Sequence, residues 1–138
     1  MDKLLKKLHY KMAERPHCAV LNAPAEFRIT FQQNGFAVAV PQAGELDFVL
    51  LFVKNRAEFE QQIKPAVASA TRDNLFWIAY PKGSGNIESD LNRNLMWELL
   101  QPFGLRPVSQ IAIDADWSAL RFRPVEAVKS RRGNTGVK

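Results

Sequence analysis

The stretch "LDFVLLFVKNRAEFE" (46–60) decides the fold. Its first eight residues are apolar except for Asp47, with no alternation of polar and apolar positions. That pattern belongs to a strand covered on both faces, because a sheet open to water on one side alternates. Directly afterwards Asn55 and Glu58 form an N-x-x-E arrangement, a variant of the capping box that opens a helix. Phe59, Ile63, Val67 and Ala70 then supply an apolar stripe at helical spacing. Pro65 should kink or split this helix, since it lacks an N–H and crowds the preceding turn. A doubly buried strand running straight into a helix is one half of a strand–helix–strand unit.

Working outward, "HCAVLNAP" (17–24) reads as a first buried strand closing at Asn22, with Pro24 suited to the first turn of a helix. "FAVAV" (36–40) reads as a second, short strand and "NLFWIAY" (74–80) as a fourth. The next helix starts with Ser89 as cap and Asp90 in the first turn, and it ends at Gly104. Leu91, Leu95, Leu99 and Phe103 form its buried face, whereas Trp97 falls among Arg93, Asn94, Glu98 and Gln101. A large aromatic there marks a subunit contact, a ligand wall or a site covered by the termini. Two strands, 107–113 and 117–123, close the chain as a hairpin, with Asp114 and Asp116 in its turn. The expected order is β-α-β-β-α-β-α-β-β. This is a three-layer, Rossmann-like α/β sheet, mostly parallel, ending in an antiparallel hairpin strand.

Length and composition fit one globular domain: 138 residues, 46% hydrophobic and 24% charged. The net charge of +5 is concentrated at the ends. Residues 1–15 carry five basic and two acidic residues, and 124–138 carry four and one, which leaves ten and eleven in 16–123. The domain is therefore expected over 16–124, preceded by an amphipathic helix in 1–15 that places Leu4, Leu5, Leu8 and Met12 on one face. A basic tail over 125–138 reads as disordered, with weak nucleic-acid association through the basic termini as the alternative to simple solvation. One cysteine, no apolar run of membrane-spanning length and no long apolar leader lead to the expectation of a cytoplasmic protein.

In open α/β sheets ligands bind outside the carboxyl ends of the strands. That rule selects Asn22, Lys54, Lys82 and Ser84 as anion contacts, with Asp90 and Asp114 as polar rim residues and Trp97 as a candidate interface. Lys82 and Ser84 lie in "YPKGSG" (80–85). This is not a phosphate-binding Walker loop, because the lysine precedes the glycines instead of leading into the helix. The glycines have a plainer explanation as an exit turn. No G-x-G-x-x-G follows the first strand, and two histidines with one cysteine make no familiar zinc spacing. No metal site, no cofactor and no catalytic motif is expected from these residues.

The segments "VLNAPAEF" (20–27), "LDFVLLFVKNRAEFE" (46–60), "LFWIAYPKGSG" (75–85), "SDLNRNLMWELLQPFGLRPV" (89–108) and "IAIDADWSALRFRP" (111–124) together resemble a small bacterial family catalogued as domain of unknown function 3052. The resemblance spans about 20–124 and implies a compact α/β domain, without an established activity, cofactor or catalytic residue. Members often open with a glycine-threonine-proline sequence; here "DKLLKKLHYK" (2–11) keeps only the lysine-leucine character. The layout is also similar to a shortened methyltransferase-like sheet, in which the last hairpin slots an antiparallel strand beside the fourth. The leading expectation is a module that binds a small anion or a protein partner, with a second copy of the chain among the candidate partners. The alternative is a degenerate methyltransferase-like enzyme acting on an anionic substrate.

Overall fold

The computed structural model describes residues 2–11, 14–40 and 45–126. Its elements are α1 (Asp2–Lys7), β1 (Cys18–Leu21), α2 (Ala25–Gln33), β2 (Leu46–Phe52), α3 (Arg56–Ala68), β3 (Ala70–Pro81), α4 (Arg93–Leu100), β4 (Leu105–Ala112) and β5 (Trp117–Pro124). A short 3-10 turn, Gln101–Phe103, continues α4 and ends at Gly104, whose φ of 73° is the left-handed conformation that glycine adopts without strain.

The five strands form one sheet in the order β1-β2-β3-β5-β4. β2 pairs in parallel with β1 and with β3. β5 is inserted antiparallel between β3 and β4. The α/β class and Rossmann-like character expected from the sequence hold, as does the antiparallel strand slotted beside "NLFWIAY". The mostly parallel description holds in part. β4 runs in the sense of β3, but only two of the four pairings are parallel, because β5 separates β3 from β4.

Alternation along the strands divides the interior into two apolar clusters, one per face. Val49 and Leu51 of β2 and Phe76, Ile78 and Tyr80 of β3 pack with Phe59 and Ile63 of α3 and Met96 and Leu100 of α4. Phe48, Leu50 and Phe52 of β2 and Trp77 and Ala79 of β3 pack with Phe31 of α2 and with Leu8, just past α1. The sheet is thus the middle of three layers.

Four local expectations are corrected. The 36–40 strand shrinks to one isolated bridge, Ala37 to Ala19. Gly35, at φ 90°, reverses the chain just before it, and Val40 is already 39% exposed, so the run has no second strand to pack against. Pro65 does not split α3, which runs unbroken to Ala68; the proline gives up its own bond to the preceding turn, but it lies in the last turn, so little helix follows it. α4 begins at Arg93 with Asn92 as its cap, Oδ1 accepting from the Leu95 N–H at 2.8 Å, so Ser89 and Asp90 precede the helix. α1 ends at Lys7, and His9 at φ 59° turns the chain away. Met12 and the expected disordered tail from 127 onward lie outside the described residues.

The N-terminal segment is fastened to the sheet by the indole of Trp77, which donates to the Leu8 carbonyl at 3.0 Å, and by Lys7 Nζ, which donates to the Ala112 carbonyl at 3.0 Å. Leu8 is fully buried there. Beyond it the Tyr10 hydroxyl lies 3.3 Å from Cys18 Sγ.

Leu51 is fully buried in β2, so Leu51→Ala should lower unfolding free energy by roughly 3 kcal/mol in urea melts, through lost burial and a residual cavity. Burial also pushes the Tyr10 and Tyr80 phenols and the Cys18 thiol above their ordinary values. A folded-state pKa above the unfolded one gives stability that is present at neutral pH and lost as pH rises past the unfolded value. The urea midpoint should therefore fall from about pH 8 to about pH 11, and Tyr10→Phe should reduce the fall.

Candidate functional site

At the carboxyl end of β1 and β2, polar groups close the crevice between the strands. Asn22, at φ 58°, donates through Nδ2 to the Phe52 carbonyl at 2.8 Å and to Glu58 Oε1 at 3.1 Å. The same Glu58 oxygen accepts from the Lys54 N–H at 2.8 Å. Asn55 Oδ1 accepts from the Glu58 N–H at 2.9 Å, so the capping bond read from the sequence is present, whereas the Glu58 carboxylate reaches back past Asn55 to the Lys54 N–H. The first free amide of α3, on Arg56, donates to Asp90 Oδ1 at 2.9 Å. Asp90 therefore caps α3 from a distant loop instead of sitting in the first turn of its own helix. An unpaired helix N-terminus is an anion site, but here the Asp90 carboxylate and the Asn55 amide oxygen already take two of its N–H groups.

The loop after β3 is pinned to the β4–β5 turn. The Lys82 N–H donates to the Asp116 carbonyl at 2.8 Å, and the Asn86 N–H donates to Asp116 Oδ1 at 2.9 Å. Asp114 Oδ1 accepts from the N–H groups of Asp116 and Trp117 at 2.8 and 2.9 Å, which is turn chemistry. Gly85 answers the question of the glycines in this loop: a Cβ there would come within 2.9 Å of Asp116 Cα and 3.0 Å of the Ala115 carbonyl oxygen. A Cβ on Gly83 would meet nothing within 4 Å.

Two cavities flank the pinned loop. The larger, about 640 Å³, is walled by Asn55, Lys82, Glu88, Ser89 and Asp90 among others. One ammonium against two carboxylates makes it a poor place for an anion. The second, about 340 Å³, lies between the end of β3 and the start of α4. Its wall holds Lys82 and Arg93, the hydroxyls of Tyr80, Ser84 and Ser118, and the amides of Asn92 and Gln110. Among the described residues no carboxylate lines it. Burial raises the Tyr80 pKa and Arg93 opposes that shift, so the phenol stays protonated under the guanidinium. Gln110 Nε2 lies 3.4 Å from the phenol oxygen.

Of the residues expected at the rim, Lys82 and Ser84 share the second cavity, and Lys82 and Asp90 share the first. Asn22 and Asp114 are spent on backbone and side-chain bonds, and Lys54 lines neither cavity. Trp97 is exposed and lines a separate groove of about 210 Å³ with Arg93, Asn94, Arg106 and Pro107. A helix starting at Ser89 places Arg93 in a second, solvated turn, whereas the observed start makes it the first residue of α4. Asn92, three residues before Leu95, was the signal for the later start. Among the described residues no three His, Cys, Asp or Glu side chains gather as metal ligands, and no helix is long and apolar enough to cross a membrane.

No family model and no curated protein matches the chain. Solved structures do. A variant of LepI in complex with SAH and a substrate analogue superposes with a TM-score of 0.50 at 10% identity, over 89% of this chain and 39% of that one. LepI in complex with SAM gives 0.46 at 12% identity, over 89% and 39%. Ribosomal protein L11 methylase from Lactobacillus delbrueckii subsp. bulgaricus gives 0.43 at 11% identity, over 78% and 57%. The chain thus spans 39% of LepI and 57% of the methylase, and the likeness is one of fold.

The likeness corrects the expectation of no cofactor. A protein built on this fold holds SAH, so the fold gives no ground for expecting none. The first strand–helix turn of this chain does not fit such a group in the manner of a dinucleotide fold, however. "LNAPAEF" has no glycine for close backbone approach, and the Asn22 amide spans the crevice from β1 to Phe52.

Gly85→Ala should lower stability by about 1–3 kcal/mol, because the loop has to move off the Asp116 turn. Gly83→Ala, facing open space, should leave the melting temperature within a degree or so of the parent.

Proposed function

We propose that the chain binds a small anionic ligand at the carboxyl-end rim of the sheet, in the cavity between the end of β3 and the start of α4. The observation that supports this reading is the composition of the wall: Lys82 and Arg93 line it with three hydroxyl-bearing residues and no carboxylate among the described residues. Arg93 is also the first residue of α4, where the helix dipole disfavours a cation. A bound anion offsets the repulsion between the two cations and the positive end of the helix. Ser84 and Ser118 donate hydroxyl protons to its oxygens, and the Tyr80 phenol does so as a neutral acid. Asn22, Lys54, Asp90 and Asp114 hold the rim in shape in this reading and do not touch the ligand. Membership of the family catalogued as domain of unknown function 3052 is proposed on the quoted segments.

The likeness to an SAH-bound fold supports a second reading, a reduced methyltransferase-like enzyme with an anionic substrate in the same cavity. Lys82 and Arg93 would then stabilise negative charge on that substrate. A methyl donor would require a binding mode other than a glycine-rich first turn.

Thermal unfolding in the presence of inorganic phosphate, pyrophosphate and sulfate tests the first reading. At a hundredfold excess over Kd a ligand adds about 2.7 kcal/mol. For a chain of this length that is a rise of roughly 10 °C. Lys82→Ala and Arg93→Ala should each abolish the rise while leaving the unliganded melting temperature nearly unchanged, since Arg93 is exposed and Lys82 only half-buried. A rise that survives both substitutions sinks the assignment. Calorimetric titration with SAH tests the second reading, and no heat at millimolar concentration counts against it.

A further inference from the structure

Trp97 is the tryptophan that the fold leaves outside. It is 45% exposed, whereas Trp77 and Trp117 are 0% and 3% exposed. It belongs to neither apolar cluster, and it stacks on no other ring among the described residues. Its position is nonetheless a built one. Arg93 lies four residues earlier in α4, one turn away on the same face. Arg106 and Pro107, from the edge strand β4, complete the groove of about 210 Å³ in which the indole lies.

Arg93 walls both this groove and the 340 Å³ cavity that holds Lys82 and Ser84. The two spaces therefore share Arg93 as a wall residue. At one end are two cations with hydroxyl donors. At the other are an exposed indole and two arginines, with no carboxylate in either wall among the described residues. An indole face accepts a cation or a flat aromatic. Arg93 and Arg106 repel a cationic guest, which leaves an aromatic one, and the neighbouring cavity requires that guest to carry negative charge.

We infer that the ligand of this rim is a nucleoside monophosphate, its phosphate at Lys82, Ser84 and Arg93 and its base stacked on Trp97. The inference rests on the anion-binding reading above and adds the aromatic half of the ligand. Specificity among bases is weak in this arrangement, because every base has a π-face and the groove supplies few fixed hydrogen-bond partners.

Calorimetric titration of the full chain with inorganic phosphate, adenosine and AMP separates the two halves. AMP should bind roughly 10-fold more tightly than phosphate, within the range that base–aromatic stacking supplies. Trp97→Ala should bring AMP down to the phosphate affinity and leave phosphate itself unchanged. Trp97→Phe should restore most of the difference. Arg93→Ala should weaken both ligands. Since the indole is on the surface, far-ultraviolet circular dichroism and the melting temperature of the Trp97 variants should match the parent. AMP, but not phosphate, should quench the emission of the exposed tryptophan, and the quenching should vanish in Trp97→Phe.

Equal affinity for AMP and phosphate, or full AMP affinity in Trp97→Ala, overturns the inference and leaves the anion site standing. If neither phosphate nor AMP binds, both readings fall together. The same chemistry ends a nucleic-acid strand, so a 5′-phosphorylated dinucleotide that binds more tightly than AMP overturns the assignment to a free nucleotide.

Discussion

Burial of β2 on both faces is the constraint from which the rest of the architecture follows. Phe48, Leu50 and Phe52 point to one side and Val49 and Leu51 to the other, and all five are 0–1% exposed. A strand with no polar face has to lie inside the sheet and be covered twice, which requires helices above and below. α3 and α4 supply one cover, and α2 with the N-terminal segment supplies the other. β1 and β3 then pair with β2 in parallel because each connection crosses over through a helix. The antiparallel β5 ends this pattern. It enters beside β3 through a tight turn closed by Asp114, and that turn comes to lie on the rim beside the loop that leaves β3.

The rim shows how a sheet of this kind can keep its topology while changing where a ligand fits. Asn22, Glu58 and Asn55 tie β1, β2 and α3 together, and Asp90 reaches over from the β3 loop to cap α3. These bonds satisfy the donors that would otherwise face a bound phosphate, so the first half of the rim is structural. Further along, the loop is held close to Asp116 by the absence of a side chain at Gly85. Beside it, Lys82 and Arg93 line one cavity together with three hydroxyl-bearing residues and no acid among the described residues. Charge balance, more than proximity to the strand ends, separates the candidate cavity from its larger neighbour. Glu88 and Asp90 oppose Lys82 in the one, and nothing opposes it in the other.

The amphipathic N-terminal stretch is another place where packing settles a pattern that has two readings. Leucines on one side and lysines on the other suit a domain edge or, weakly at this length, a membrane surface. Here Leu8 is fully buried and its carbonyl takes the Trp77 indole proton. A buried indole N–H needs a partner, and this segment provides it. The position of the strap is therefore coupled to the core of β3.

Local physics made much of this legible in the sequence. The absence of alternation in 46–53, the Asn55 cap and the glycine at 104 are rules about single elements and their ends, and each appears in the structure as written. So does the closing hairpin, because a three-residue turn joins two apolar runs, whereas the insertion of its last strand beside 74–80 was expected only from the likeness to a methyltransferase-like sheet. What the chain alone did not determine were the matters settled by distant partners. "FAVAV" has the composition of a strand but only Ala19 to pair with. Ser89 and Asp90 look like a helix start, yet Asp90 binds an amide 34 residues away and the helix waits for Asn92. Arg93 gained its place at the rim through that same shift. A local pattern specifies which bonds a residue is able to make, and only the tertiary structure decides which competing partner is near enough to make them.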